Sequence, residues 1–355
     1  MTVEVRQLKD GCKLEERGRH ISARLNEEGF WCSFREGEFF YRRCMDGTVV
    51  RGADAKPVSN ENAKIIHRQF HQWIKRVSLN DEVIVRSQQL PIDSYDKQMA
   101  LYRQAYPEDV SILPPDRYGD IVIQPAIGCP NRKCTFCAFY KEKPYQVLNK
   151  EAFISHLQSI LHVYGQKLMS AQGAFLGSAN AMALSQRRLM FCLEEIKERF
   201  GVFKREVATF ADPDYSARRS SRDWEELRER GLKHIVIGLE TGWGELRASL
   251  GKSGDLSKVS DTINSAKQSG MTIGLTVLTG AAPETKREMN LVNTLATIKG
   301  FDLSAKDIIY LSPLSDSGHI KTEAVAEQKL FAESLRDVTE ARVVPYQMQR
   351  FQYFA

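Results

Sequence analysis

The chain reads as an α/β protein: an open, partial (β/α)6 barrel with a small α+β extension before it and a helix–strand extension after it. Three observations predict this. Six short apolar runs rich in β-branched residues recur between residues 120 and 314, the pattern of buried parallel strands. Helical patterns fill the intervals between them, several opening at Ser, Asp or Asn and four ending at Gly. Strand and helix in regular alternation imply a parallel sheet with right-handed crossovers, and six units are too few to close an eight-stranded barrel. The predicted extents are 1–112 for the first extension, 113–320 for the barrel and 321–355 for the last helix and strand.

Taken in order, residues 15–30 (EERGRHISARLNEEGF) carry a helical pattern with a stop at Gly29. Residues 31–50 give two aromatic-rich runs with turn signals at Glu36-Gly37 and Asp46-Gly47, a hairpin or meander on which Cys32 and Cys44 are two half-buried thiols. Residues 60–77 place Ile65, Ile66, Phe70, Trp73, Ile74 and Val77 at helical spacing, with His67, Arg68, His71, Lys75 and Arg76 mostly on the solvated face. A helix near 94–106 and a Pro-rich entry follow. The barrel strands are DIVIQPA, AFLGSA, EVATFA, HIVIGLE, TIGLTVL and DIIYLSPL; Cys192 falls inside a helix as core filler.

The 355 residues are 42% hydrophobic and 27% charged, as in globular proteins, and the net charge of +5 permits an anionic partner without arguing for one. Seven cysteines without a regular framework do not predict a secreted disulfide scaffold. The first twenty residues lack the apolar core of a signal peptide, and no apolar run approaches a membrane span. A reducing cytoplasm is the expected compartment.

The densest chemistry lies in QPAIGCPNRKCTFCAFY, residues 124–140, where Cys129, Cys134 and Cys137 form a C-x4-C-x2-C run with Phe136 before the last cysteine. Three thiolates on a short loop suit three irons of a cubane cluster whose ligand sets normally number four, leaving one iron open. They also suit a structural zinc with a fourth ligand from elsewhere, or plain buried thiols, and spacing alone leaves these readings open. The run follows the first strand, so it lies at the C-terminal end of the sheet, where ligands of such folds bind.

Together with its flanks, LPPDRYGDIVIQPAIGC (113–129) and CTFCAFYKEKPYQV (134–147), the run resembles the cluster loop of radical S-adenosylmethionine (SAM) enzymes, C-x3-C-x-aromatic-C, with the first gap one residue longer. The flanks resemble the branch of oxygen-independent coproporphyrinogen III oxidase-like proteins. The resemblance implies a partial radical SAM barrel carrying a 4Fe-4S cluster on Cys129, Cys134 and Cys137, with Phe136 beside the cofactor. It implies SAM contacts from Gly177, Ser178 and Asn180 after the second strand, from Glu240 in GLETG, and from Lys252, which would otherwise read as an exposed loop lysine. The acidic residues of that branch on the third and fifth strands are replaced by Phe210 and Thr276. The backbone of 311–318 would line the adenine. The implied reaction cleaves S-adenosyl-L-methionine to methionine and a 5′-deoxyadenosyl radical that takes hydrogen from a substrate.

With no second cysteine cluster and no cobalamin-type domain in the sequence, a small molecule or cofactor precursor is the expected substrate, and a flavodoxin or ferredoxin the expected electron donor. The basic residues of 64–76 keep RNA modification as an alternative. A non-catalytic carrier of a cluster or haem is another.

Overall fold

The computed structural model describes residues 2–52, 55–108, 110, 112–165, 171–177, 179–201, 203–216, 218–316, 319–346 and 354. The chain divides into two compact units, one of Met1–Asp109, Gln158–Ser170 and Gln352–Ala355, the other of Val110–Leu157 and Ala171–Phe351.

The first unit is built on a seven-stranded antiparallel meander running from Glu4–Leu8 to Lys56–Pro57, each strand pairing with the next in sequence. The helix expected over residues 15–30 is absent. Gly11–Glu16 and Ile21–Asn26 are strands joined by a 3-10 turn at Arg17–Arg19, with His20 in the left-handed region at φ 53. Alternation explains the outcome: Ile21, Ala23 and Leu25 are buried while Ser22, Arg24 and Asn26 are less so, a period of two that satisfies a sheet with one covered face. The aromatic runs of residues 31–50 form strands of the same meander, and Cys32 and Cys44 are both buried and free of disulfides.

The sheet's covered face packs on Asn60–Ile74, a helix capped by the Ser59 hydroxyl. Its buried positions are Ala63, Ile66, His67, Phe70, His71, Trp73 and Ile74, so the apolar stripe is turned from the expected one: Ile65 is exposed, and the two histidines lie inside. Trp31 Nε1 donates to His67 Nδ1 at 3.0 Å. Burial and the nearby Arg43 charge pull the His67 pKa down to about 3, so the ring is a neutral acceptor. A helix at Ser94–Ala105 follows.

The second unit contains the six expected strands at Ile121–Ile123, Ala174–Leu176, Val207–Ala211, Leu232–Glu240, Thr272–Thr279 and Ile308–Pro313. All pair in parallel and in chain order. The final strand, Arg342–Pro345, adds a seventh parallel member beside Ile308–Pro313 after the helix Thr322–Leu335. Helices Lys150–Tyr164, Gln186–Phe200, Ser221–Glu229, Ser257–Gln268 and Arg287–Lys299 lie between the strands. Cys192 is fully buried in the second of these. The first and last strands of the sheet are not paired to each other, so the barrel is open.

Register sets the inner face. Val122, Phe175 and Ala208 stand side by side, and so do Phe210, Val236 and Gly274. The Phe175 and Phe210 rings meet edge to face at 4.9 Å. A Cβ on Gly274 would stand 2.8 Å from the Tyr310 ring and 3.1 Å from His234 Nε2, so a side chain there would collide inside the barrel. These layers fill the middle of the barrel and leave the C-terminal strand ends to hold the site.

Candidate functional site

The cysteine loop leaves the first strand through a pinned neck. Ala126–Ile127 pairs antiparallel with Gln146–Val147, closing the base of the excursion. Gly128 turns the chain there at φ 74, and a Cβ on it would stand 2.4 Å from the Pro144 carbonyl oxygen, so only glycine fits. Within the loop, the Cys129 thiol donates to the Asn131 carbonyl at 2.9 Å and Cys137 N–H donates to the Cys134 carbonyl at 3.4 Å. Phe136 and Trp243 both pack against Leu246, Leu250, Leu278 and Ala282, an apolar wall gathered from the fifth strand and the segments after the fourth and fifth.

Glu240 ends the fourth strand in an unusual backbone state. Its φ is 64, and the pairing with the fifth strand slips between Gly238 and Glu240. Such a bulge re-aims a side chain, and a left-handed glutamate stores strain that the surroundings must hold. Its carboxylate meets Lys252 Nζ at 3.2 Å, and Asp212, just past the third strand, meets the same ammonium at 3.4 Å. Lys252 also donates to the Gly238 carbonyl at 3.1 Å. Gly238 makes the arrangement possible, because a Cβ on it would lie 2.5 Å from Glu240 Oε1 and 2.6 Å from Lys252 Nζ.

Lys252 is therefore no exposed loop lysine; its side chain is 6% exposed. Burial opposes its charge, yet the Asp212 and Glu240 carboxylates more than offset this and hold its pKa above the ordinary lysine value. Burial pushes the Cys129 thiol up to about 11 and the Cys134 thiol up to about 12, and raises Cys137 as well. Each thiol feels the Lys252 ammonium, which favours its thiolate. A cation bound by the three cysteines would take them as thiolates.

A second buried pair supports the lysine. Arg247 Nη1 meets Asp214 Oδ2 at 2.9 Å, and the same oxygen accepts from Ser253 N at 3.1 Å, so the segment carrying Lys252 is tied to the end of the third strand.

Of the other expected residues, Gly177 follows the second strand, its N–H donating to the Ile123 carbonyl at 2.9 Å. A Cβ there would stand 2.9 Å from Val122 Cγ1. Asn180 is buried; its amide donates to the Asp212 carbonyl at 3.4 Å and accepts from the Ser216 hydroxyl at 3.2 Å. Ser178 lies outside the described residues, as do residues 317–318 of the expected adenine segment. Sequence reasoning missed Asp212, Asp214 and Arg247. The carboxylate missing at Phe210 stands two residues on, where strand alternation returns to the inner face. That period, applied to TFADPD, is the signal that finds Asp212.

Among the described residues no three His, Cys, Asp or Glu side chains converge as ligands of one metal ion. Thiolates of a cubane cluster bind separate irons, so they need only share a loop and an opening. The free thiols on a pinned loop and the lysine beside them fit such a group.

Residues 123–295 match the family described as the radical SAM superfamily. No curated protein sequence matches the chain. Among solved structures, the chain is similar to the radical S-adenosylmethionine methyltransferase TsrM from Kitasatospora setae (14% identity, 55% of this chain and 36% of that one, TM-score 0.41). It is similar to methylornithine synthase PylB (14% identity, 78% and 74%, TM-score 0.45). It is also similar to the coproporphyrinogen III oxidase HemN from Escherichia coli (12% identity, 68% and 56%, TM-score 0.42). The chain thus spans 36% of the length of the first of these.

Proposed function

We propose that this chain, a member of the radical SAM superfamily, is an enzyme that cleaves S-adenosyl-L-methionine and uses the resulting radical on a small molecule or cofactor precursor. Cys129, Cys134 and Cys137 would hold a 4Fe-4S cluster through three of its irons. When bound, that cluster supplies the electron that splits the sulfonium C5′–S bond of SAM into methionine and a 5′-deoxyadenosyl radical. The observation that carries the reading is the placement of the three free thiols at the mouth of a parallel barrel, beside a buried Lys252 shared by two carboxylates.

The protein's own groups have distinct tasks. Lys252 presents a fixed positive charge to the SAM carboxylate, and Glu240 presents a carboxylate to its amino group or ribose hydroxyls. Gly177, where a Cβ would crowd Val122, offers backbone to the ligand, and Asn180 braces the Asp212 segment from the second strand. Phe136 and the wall of Trp243, Leu246 and Leu250 keep water from the reacting carbon. A small reductase of the flavodoxin or ferredoxin kind would deliver the electron.

The test is anaerobic reconstitution with iron and sulfide, followed by reduction, electron paramagnetic resonance with and without SAM, and an assay for 5′-deoxyadenosine. A cluster signal altered by SAM, with deoxyadenosine formed, supports the proposal. Stoichiometric zinc, or a cluster indifferent to SAM, overturns it.

A further inference from the structure

The cysteine loop differs from the usual family spacing by one residue in its first gap, and one side chain from that gap lies at the junction of the site. Asn131 is 4% exposed although it belongs to a surface excursion. Its carboxamide oxygen accepts from Lys133 N at 3.0 Å, closing a local turn. Its amide nitrogen donates twice: to Cys134 Sγ at 3.3 Å and to the Gly251 carbonyl at 3.2 Å. Gly251 precedes Lys252, so one side chain touches both a cysteine sulfur and the backbone of the lysine segment.

The two segments are held together at this point. Gly251 sits at φ 83, and a Cβ on it would stand 2.2 Å from the Lys133 carbonyl oxygen and 3.1 Å from Cys134 Cα. Thr135 N donates to the Leu250 carbonyl at 3.1 Å. The lysine segment is anchored in turn by Arg247 and Asp214, through the bond from Ser253 N.

Resting on the reading of Cys134 as a cluster ligand, we propose that Asn131 is a positioning residue that raises the reduction potential of the cluster and links it to the Lys252 segment. A hydrogen bond to a ligating sulfur stabilises the more negative, reduced state, so it favours acceptance of the electron. The second bond of the same amide ties that sulfur to the segment that would grip the SAM carboxylate. Movement of Lys252 toward a ligand therefore changes the donor geometry at Cys134.

Asn131→Asp tests this. Asp keeps an oxygen for Lys133 N and removes the amide donor, but it adds a charge; Asn131→Leu removes the donor without one. A midpoint lowered in both variants is the donor's effect, and one lowered only in Asp is the charge's and overturns the proposal. Potentiometric titration of the reconstituted variant, read by electron paramagnetic resonance, should show a more negative midpoint. The expected change is about tenfold in the reduction equilibrium, about 59 mV for one electron. The shift in midpoint on adding SAM should shrink as well. Iron content and the unfolding temperature of the metal-free protein should stay near wild type, a split that a purely structural role does not produce.

An unchanged or more positive midpoint at full iron content overturns the proposal, and so does failure of the folded variant to hold iron. A variant that does not fold is bypassed in the wild type. With 15N-asparagine incorporated, pulsed resonance should detect the Asn131 nitrogen coupled to the reduced cluster, and absence of a coupling that Asn131→Ala removes refutes the assignment. If wild-type protein takes up no cluster, the functional reading itself fails, which is a separate result.

Discussion

The two ends of the barrel both bury charge and arrange it in opposite ways. At the N-terminal end the Arg117 guanidinium meets Asp116 at 3.3 Å, Asp120 at 3.4 Å and Glu206 at 3.4 Å, and the Tyr310 hydroxyl donates to Asp116 at 2.7 Å. These groups join the entry segment to the third and sixth strands, and they close on one another. At the C-terminal end Lys252 is shared by Asp212 and Glu240 beside three thiols. Nearby, the Ser312 and Tyr346 hydroxyls and one oxygen of Asp214 are buried with no hydrogen-bond partner among the described residues. His234 Nε2 at the N-terminal end is likewise buried without one, so such atoms do not by themselves tell the two ends apart. What sets the C-terminal end apart is the group of three thiols beside the shared lysine.

Four experiments break or sharpen that contrast, taken from the largest effect down. Cys134→Ser should abolish cluster uptake and deoxyadenosine formation while changing metal-free stability by less than about 1 kcal/mol in urea titration. A large loss of stability would mean that the loop is part of the framework, and the contrast would fail. Arg117→Leu should do the reverse. Removing the cation takes the ion pairs of Asp120 and Glu206 away near the barrel floor, at a cost of about 3–5 kcal/mol by denaturant titration, with iron per folded molecule unchanged. Lys252→Met strips Asp212 and Glu240 of their shared cation, so it also costs stability, and in the folded, reconstituted protein it should weaken SAM binding by roughly thirtyfold, about 2 kcal/mol by calorimetry. Unaltered affinity would remove Lys252 from the ligand-receiving end.

The smallest effect is a pH dependence confined to the N-terminal end. Burial, helped by the Arg117 charge, brings His234 down to about 4. Its neutral ring therefore stabilises fully above the unfolded value near 6.5, and that stability is lost as pH falls toward 4. Burial lifts Asp120 to about 6 against the pull of Arg117. Its contribution is complete below the unfolded value of about 3.9 and is lost as pH rises through 6. Between pH 6.5 and 4 the two run in opposite directions. Asp120→Asn should make stability fall faster on acidification and His234→Gln should make it rise, each by about 1 kcal/mol per pH unit at most. Parallel curves for the two variants would show that neither group governs this end.

Much of the site was legible before any coordinates. The cysteine spacing marked the loop, and six strand runs in one direction placed it at the C-terminal end of the sheet. What misled was local pattern without partners. Residues 15–30 carry charged residues and a terminal glycine that suit a helix, yet Ile21, Ala23 and Leu25 also alternate, and neighbouring strands decided for the sheet. His67 and His71 look like surface polarity in a basic helix, but they are i and i+4 on the arc that meets Trp31 and Tyr95. Aromatic neighbours and a hydrogen bond from Trp31 make burial of a neutral imidazole acceptable.

The sequence by itself determined the order of strands and helices, the three thiols and their place after the first strand, because periodicity and spacing are properties of the chain. The tertiary structure decided everything that depends on residues far apart meeting. It gave Lys252 the carboxylates of Asp212 and Glu240, it turned Glu240 through a bulge that Gly238 leaves room for, and it brought Asn131 against Gly251. Those contacts join positions separated by as many as 120 residues, and only the packed barrel sets their distances, because Coulomb energies and steric limits act through space and not along the chain.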